Sequence, residues 1–425
     1  MKSKNYKDYM YNFISDICSD IGPRLTTTSQ EKEGFKVLEK ELKINSDKIY
    51  SHNFKTSYNA YPGGAAKVSA LMIFLGLFFI FTNFPIVCVI ISIFALILGV
   101  SEIMFLKSPL DIFYKKGISK NVFGKISPTN KAKKYIIIAG HMDSAYEIPS
   151  SKKGIKLLKR IIYDVLIVGF SINLWALTKV GILGMQINVP FSVGLWGFFN
   201  VNLIDILLAI IFLPILIFFY IPSVLNFFGN KIVPGANDNL SGVAISLAAA
   251  KHLYKNKPKN VEVWCGAFGA EEAGMRGSQN FVKDIPRNIL DNSYTIVLDS
   301  VGAGDGVAIL EEEDMYLKLN NKYPFVHPSK HDKELCDKVY KVTKSLNQKS
   351  PSVEVMKSKF AGTDASSFSL EGYKACSIVC GDKKSHFVVN WHTMEDIPKN
   401  LDKNVLQHVL DMILETVNSI DKDNE

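Results

Sequence analysis

Apolar positions recur along most of this chain at helical or strand spacing, and in two places they run together without polar relief. Residues 5–20 and 30–43 show the helical spacing, and Lys48–Phe54 alternates as a short strand. Asn121–Ile126 and Tyr135–Ala139 predict two further strands, the second a β-branched run that continues into Gly140-His141-Met142-Asp143. From Gly235 onward the two rhythms alternate. Asn239–Tyr254, a segment near Ser278–Val282, Lys333–Leu346 and Leu401–Ser419 predict helices; Val261–Phe268, Tyr294–Asp299, Val307–Leu310 and Cys376–Val379 predict strands. This alternation predicts an α/β fold with a mixed, mostly parallel central sheet. There is no internal repeat and no long low-complexity tract.

The two unrelieved stretches change that picture. Val68–Leu106 is nearly all apolar, interrupted by Thr82-Asn83-Phe84-Pro85, and Ile161–Leu177 and Val201–Phe219 form a second pair. An apolar helix of about 17 to 22 residues is about 26 to 33 Å long, close to one bilayer core. The pattern therefore predicts two transmembrane helical hairpins, four spans in all. Asp164 and Asp205 fall near segment ends and read as interfacial. Composition agrees: 48% of the 425 residues are hydrophobic and mean hydropathy is +0.12, high for a soluble protein of this length.

Candidate chemistry lies at strand ends and turns. His141 and Asp143 follow the β-branched run. Asp238 and Asn239 lie in a Gly/Asn-rich turn, Pro234–Gly242, before a helix. Glu271-Glu272 follows the strand Val261–Phe268, Asp299 ends another strand, and His392 precedes the closing helix. A lone His-x-Asp or a pair of glutamates is usually a solvated or structurally satisfied feature. The ordered series His, Asp, Glu-Glu, Asp, His supplies the nitrogen and oxygen ligands of divalent-metal sites.

That series resembles the M28 family of zinc metallopeptidases, the co-catalytic di-zinc aminopeptidases. It matches the family pattern at five metal positions and at the catalytic glutamate. The likeness begins at Ile21-Gly22-Pro23-Arg24-Leu25-Thr26 and runs through Gly362-Thr363-Asp364-Ala365 to the end, outside the two apolar inserts. The resemblance implies a three-layer α/β peptidase domain holding two Zn2+, with Co2+ or Mn2+ as possible substitutes. Asp238 would bridge the ions, with His141 and Asp299 completing one site and Glu272 and His392 the other. Glu271 would act as general base on a metal-bridging water and pass the proton to the leaving amine. Asp143 would orient the imidazole of His141.

Around these, Asn239 is expected to shape the turn that presents Asp238. Asp364 either supports the site or caps a helix over Ala365–Leu370, and Asp396 has the same two readings. His386 is a candidate oxyanion stabiliser. The implied reaction is release of the amino-terminal residue of a peptide. Alternatives are a carboxypeptidase or a glutaminyl-cyclase-like enzyme on the same fold, or an inactive membrane scaffold.

Each hairpin returns the chain to the side it left, so all five metal positions share one side of the bilayer. The division expected is a peptidase domain of residues 1–67, 107–155 and 230–425, with hairpins at 68–106 and 156–229. Lys67, Lys107, Lys115 and Lys116 flank the first hairpin on that side; Lys152, Lys153, Lys156, Lys159, Arg160 and Lys231 flank the second, against Lys179 opposite. The positive-inside rule then predicts an integral membrane protein with its catalytic domain and both termini in the cytoplasm. The formal charge of +8 is accounted for by these lysines, so nucleic acid is not an expected partner; peptide and lipid bilayer are. Met1-Lys2-Ser3-Lys4 leads into an amphipathic helix, with no cleavable signal expected. The six cysteines are scattered and read as buried thiols, Cys376-x-x-x-Cys380 included. Oligomeric state is not legible.

Overall fold

The computed structural model describes residues 5–57, 64–105, 109–153, 155–185, 193–195, 199–221, 229–319, 326–346, 351–358 and 362–424. In chain order the elements are α1 (Lys7–Asp20), α2 (Ser29–Ile44), β1 (Lys48–Thr56), α3 (Gly64–Ile80), α4 (Pro85–Phe105), β2 (Gly117–Ile126), β3 (Lys134–His141), α5 (Ile155–Gly184), β4 (Val193–Leu195), β5 (Phe199–Val201) and α6 (Leu203–Ile215). There follow α7 (Gly242–Lys255), β6 (Val261–Phe268), α8 (Arg276–Asp284), α9 (Arg287–Leu290), β7 (Ser293–Asp299), β8 (Gly306–Leu319), β9 (Val326–Lys330), α10 (Lys333–Ser345), β10 (Ser352–Ser358), α11 (Ala365–Ser369), β11 (Ala375–Gly381) and α12 (Lys403–Lys422).

The large sheet runs β1-β2-β6-β3-β7-β11-β8-β10, with β9 paired to β8. Its centre, β6-β3-β7-β11, is parallel, while β1/β2, β2/β6, β11/β8 and β8/β9 are antiparallel. The expected mixed α/β sheet is therefore present. Ile136 and Ile138 of β3, Leu298 of β7 and Ile378 of β11 point into a core filled from α1, α2, α7, α10 and α12. The alternate residues Ile137, Ala139, Trp264 and Phe268 face an aromatic layer with Phe281 of α8 and Phe368 of α11. This period-two division of a buried parallel sheet makes the three layers.

Several boundaries differ from expectation. The helix expected from Asn239 starts only at Gly242, because Asp238 and Asn239 have non-helical backbone angles. β8 runs on from Leu310 to Leu319, and β9 and β10 were not anticipated.

The apolar inserts form a separate bundle. α3 and α4 pack as a hairpin, with Gly76 against Cys88 and Gly99 against Ser69. Ile80, Cys88, Ile172, Trp175 and Leu216 share a small core with α5 and α6. Among the described residues, two helices are long and apolar enough to cross a membrane, over Pro85–Glu102 and Ile167–Gly184; Val68–Ile80 and Leu203–Phe218 are shorter. Among the described residues four full-length spans are thus not found: α3 ends at Ile80, where Thr82 and Asn83 turn the chain, and the second pair is unequal because α5 extends over 30 residues. Lys107 lies outside the described residues, as do the side chains of Lys67, Lys153, Lys156, Lys159 and Asp164.

Candidate metal centre

Parallel strands deliver their carboxyl ends to one edge, and four of the candidates arrive there. His141 ends β3 and Asp299 ends its neighbour β7, while Glu271 and Glu272 follow β6 on the other side of β3. The turn 236–241 brings Asp238 over the same edge, and the loop before α12 brings His392. Four non-glycine residues at these turns, Ala270, Ser300, Asn390 and His392, have positive φ between 52° and 58°. Such backbone persists where surrounding contacts over-determine it, and it clusters at functional sites.

Asp238 lies between the two imidazoles. Its Oδ1 is 3.1 Å from Nε2 of His141 and its Oδ2 is 3.3 Å from Nε2 of His392. Asp299 Oδ2 is 3.9 Å from Nε2 of His141, and Glu272 Oε2 is 3.3 Å from Nε2 of His392. Two three-residue sets result, His141–Asp238–Asp299 and Asp238–Glu272–His392, each with ligand atoms within 4.8 Å of one another. Glu271 Oε2 is 3.7 Å from Nε2 of His141, and His141–Glu271–Glu272 forms a third such set that lacks Asp238.

The donor set fits divalent cations. Four carboxylates gather around two imidazoles, and Nε2 of His141 and Oε1 of Glu272 are buried without a well-directed hydrogen bond. In the metal-free protein, burial opposes charge on His392, but Glu272 and Asp238 override it and hold the imidazole up to about 10. Burial and the nearby Asp238 push Asp299 up to about 8. Burial also raises Glu271, with Glu272, Asp364 and Asp299 adding to the effect and His141 opposing it. Asp238 goes the other way: burial would raise it, but the two imidazoles lower it. These shifts describe a buried excess of acid that protons, or a metal, must neutralise.

The surrounding contacts explain the placement. Asp143 was expected to orient His141, but it is the main-chain oxygen of Asp143 that lies 3.1 Å from Nδ1, against 3.6 Å for the carboxylate. The carboxylate instead accepts the N–H groups of Glu271 and Glu272, each at 3.0 Å, and the Thr26 hydroxyl at 2.7 Å. Asp396 accepts from the N–H of Asn237 and of Asp238, so it fastens the bridging turn. Asn239 joins that turn to β7, donating to Leu298 O and accepting from Ser300 N. The Trp391 ring stacks on His392 with centroids 4.0 Å apart.

One expectation needs correction. Asp364 is buried at the start of α11 but makes no capping bond, and neither carboxylate oxygen has a hydrogen-bond partner, so the cap reading fails. His386, the candidate oxyanion stabiliser, pairs with Glu354 at 3.1 Å and belongs to none of the metal-competent sets.

Two supports were assigned no role from the sequence. The buried Arg24 donates to the carbonyls of Gly22, Met142, Pro234 and Gly235, tying the amino-terminal turn to both halves of the site. Glu313 of β8 accepts from Thr363 N, Thr363 Oγ1 and Ser366 Oγ, fixing the turn that carries Asp364. Apart from Gly22, these partners lie 50 to 211 residues away in the chain and leave no periodicity to read.

Residues 223–417 match the family model described as Peptidase family M28. Aminopeptidase YwaD of Bacillus subtilis (strain 168) is 31% identical over 187 residues, covering 43% of this chain and 37% of that protein. A probable zinc metalloprotease of Pyrenophora tritici-repentis is 41% identical over 69 residues, 16% of each chain. The aligned parts thus span well under half of these curated relatives. Among solved structures, BSAP, a zinc aminopeptidase from Bacillus subtilis, aligns over 99% of this chain and 96% of its own at TM-score 0.56 and 15% identity. Bacteroides thetaiotaomicron glutaminyl cyclase aligns over 98% of both chains at TM-score 0.55 and 15% identity. At that identity the two structures show a shared fold. Residues 223–417 are thus similar to peptidase family M28, and the chain carries the fold that these solved enzymes share.

Proposed function

We propose that this chain is a membrane-anchored di-zinc aminopeptidase. The observation that carries the reading is the two-sided Asp238, each of whose oxygens faces a different imidazole within its own three-residue set. His141, Asp238 and Asp299 would hold one zinc, and Asp238, Glu272 and His392 the other. Bound zinc supplies Lewis acidity toward the scissile carbonyl and a lowered pKa for water. Glu271 is the general base: its carboxylate reaches over His141, outside both sets that share Asp238, and its raised proton affinity suits taking a proton and returning it to the departing amine. Asp143 positions Glu271 and Glu272 through their main-chain N–H groups. The relatives with sequence similarity are aminopeptidases and zinc metalloproteases by name, which supports a hydrolase of that class.

The anchoring rests on side chains. On α4, Ile90 and Ile97 are 60% and 58% exposed, and Phe170 of α5 is 72% exposed, a density of apolar surface that water does not favour. We read the helices α3 to α6 as a membrane bundle with the peptidase domain and both termini on the cytoplasmic side. Lys115, Lys116, Lys152, Arg160 and Lys231 flank that side, while Lys179 on the other is buried and neutralised by Asp205 at 2.6 Å. The active site would then open close to the bilayer. The segments on either side of the second insert bridge through Tyr146 and Ile232, and Ile148 N donates to the carbonyl of His392 at 2.8 Å. Peptides generated at the membrane are the substrates this favours.

The test uses detergent-purified full chain, metal analysis and a panel of short peptides. Two zinc per chain, metal-dependent release of the first residue, and loss of release in Glu271→Gln establish the reading. Glutamine-initiated peptides that lose ammonia without shortening would move it to a cyclase, and shortening from the carboxyl end to a carboxypeptidase. Absence of metal binding leaves the scaffold.

A further inference from the structure

A groove of about 1240 Å³ runs between the end of α4 and the outer helices of the sheet domain. Its two walls differ in chemistry. On one side Phe94, Ile97 and Phe105 of α4 and Phe113 beyond it form an apolar surface, with Phe113 77% exposed. On the other stand Arg276 and Lys283 of α8 and Arg287, the first residue of α9, with Glu371 as the one carboxylate among the lining residues. Lys283 and Arg287 are exposed and make no ion pair with a described residue; Arg276 is 3.6 Å from Asp111 and donates through Nε to Ala273 O. Three cations, one of them paired with Asp111, thus share the groove with Glu371 beside an apolar wall continuous with the bare face of α4.

We propose that this groove binds one anionic phospholipid from the surrounding bilayer. Acyl chains lie along α4 and Phe113, where they cover surface that otherwise meets water. The phosphodiester sits among Arg276, Lys283 and Arg287; guanidinium groups match phosphate oxygens in pairs, and a lysine adds a point charge. The net positive charge that remains once Asp111 is set against Arg276 and Glu371 against a second cation disfavours a headgroup that carries its own ammonium, so the site selects net negative lipid over a zwitterionic one. The inference rests on the membrane reading and is independent of the peptidase reading.

The test is native mass spectrometry of the full chain, purified in detergent and offered equal amounts of phosphatidylglycerol and phosphatidylcholine. The expected result is one retained phosphatidylglycerol, preferred about tenfold, and a preference that falls to within about twofold in the Lys283→Glu/Arg287→Glu double variant. Glu371→Gln, which leaves the cations in place, is expected to strengthen the preference about threefold and guards against a misfolded double variant. Equal retention of both lipids by the unaltered chain, or an unchanged preference in the double variant, overturns the site. Alkaline carbonate extraction separates the causes. Release of the unaltered chain from membranes sinks the anchoring and the lipid site together, whereas retention without lipid preference sinks the site alone.

Discussion

At the residue scale the centre behaves as a charge problem. Its imidazoles are neutral when they bind metal, yet in the metal-free protein carboxylates hold His392 near 10. Because the metal-free pKa is raised, a proton must leave as zinc enters, and zinc binding is weaker at low pH and strengthens as pH rises toward that value. Competition with a chelator between pH 6 and 8 should show affinity rising by up to about tenfold per pH unit for each proton displaced, with protons released into the buffer. A flat profile would mean that the imidazoles are already neutral. Glu271→Gln and Glu272→Gln separate two adjacent roles. The first should keep two zinc and lower kcat by about 10²- to 10⁴-fold, and the second should bind one zinc fewer. Asp143→Ala removes the acceptor for two main-chain N–H groups and a hydroxyl, so a loss of about 3 kcal/mol in stability is expected in chemical denaturation.

At the scale of elements, the site depends on close backbone approaches. A Cβ on Gly140 would lie 2.7 Å from Val243 N, so Gly140→Ala should force β3 and α7 apart and lower stability by about 1 to 3 kcal/mol, read as a reduced denaturation midpoint. Arg24 fastens three chain segments by carbonyl acceptors alone. Arg24→Met leaves those oxygens buried and unpaired, and it should lower both the melting temperature and zinc affinity without touching a metal ligand. β10 carries a readable alternation, Val353 and Val355 around Glu354, whereas β9 contains Pro328 and no apolar rhythm. β9 is a strand because β8 supplies its partner, an interaction that local sequence does not encode.

At the scale of the whole molecule, two helical inserts interrupt one sheet domain, and the second leaves it beside the candidate metal centre. The bundle is closed away from the sheet domain by a buried ion pair: Asp205 accepts from Lys179 and, at 3.1 Å, from the Trp175 indole, while sharing a capping box with Asn202. Removing one charge strands the other in an apolar core, so Asp205→Asn should cost about 3 to 5 kcal/mol and shorten the lifetime of the protein in detergent, whereas a Lys179→Met/Asp205→Leu double replacement should recover much of it. The pair also alters the meaning of Lys179, which counts in the sequence as a positive charge on the far side and in the fold as half of a neutral pair.

The sequence by itself determined the alternation of helix and strand, the positions of the apolar inserts and the identities of the metal-competent residues, because each depends on local periodicity or on a fixed order of residue types. His141, Asp238, Glu271, Glu272, Asp299 and His392 were all legible before any fold was known. Only the tertiary structure decided that Asp143 holds the glutamate turn, that Asp396 and Arg24 fasten the bridging turn, that His386 pairs with Glu354 and that Asp364 is a buried acid without a capping bond. The reason is physical: those roles are hydrogen bonds and charge contacts between residues distant in the chain, and such contacts exist only once the sheet has brought its strand ends together.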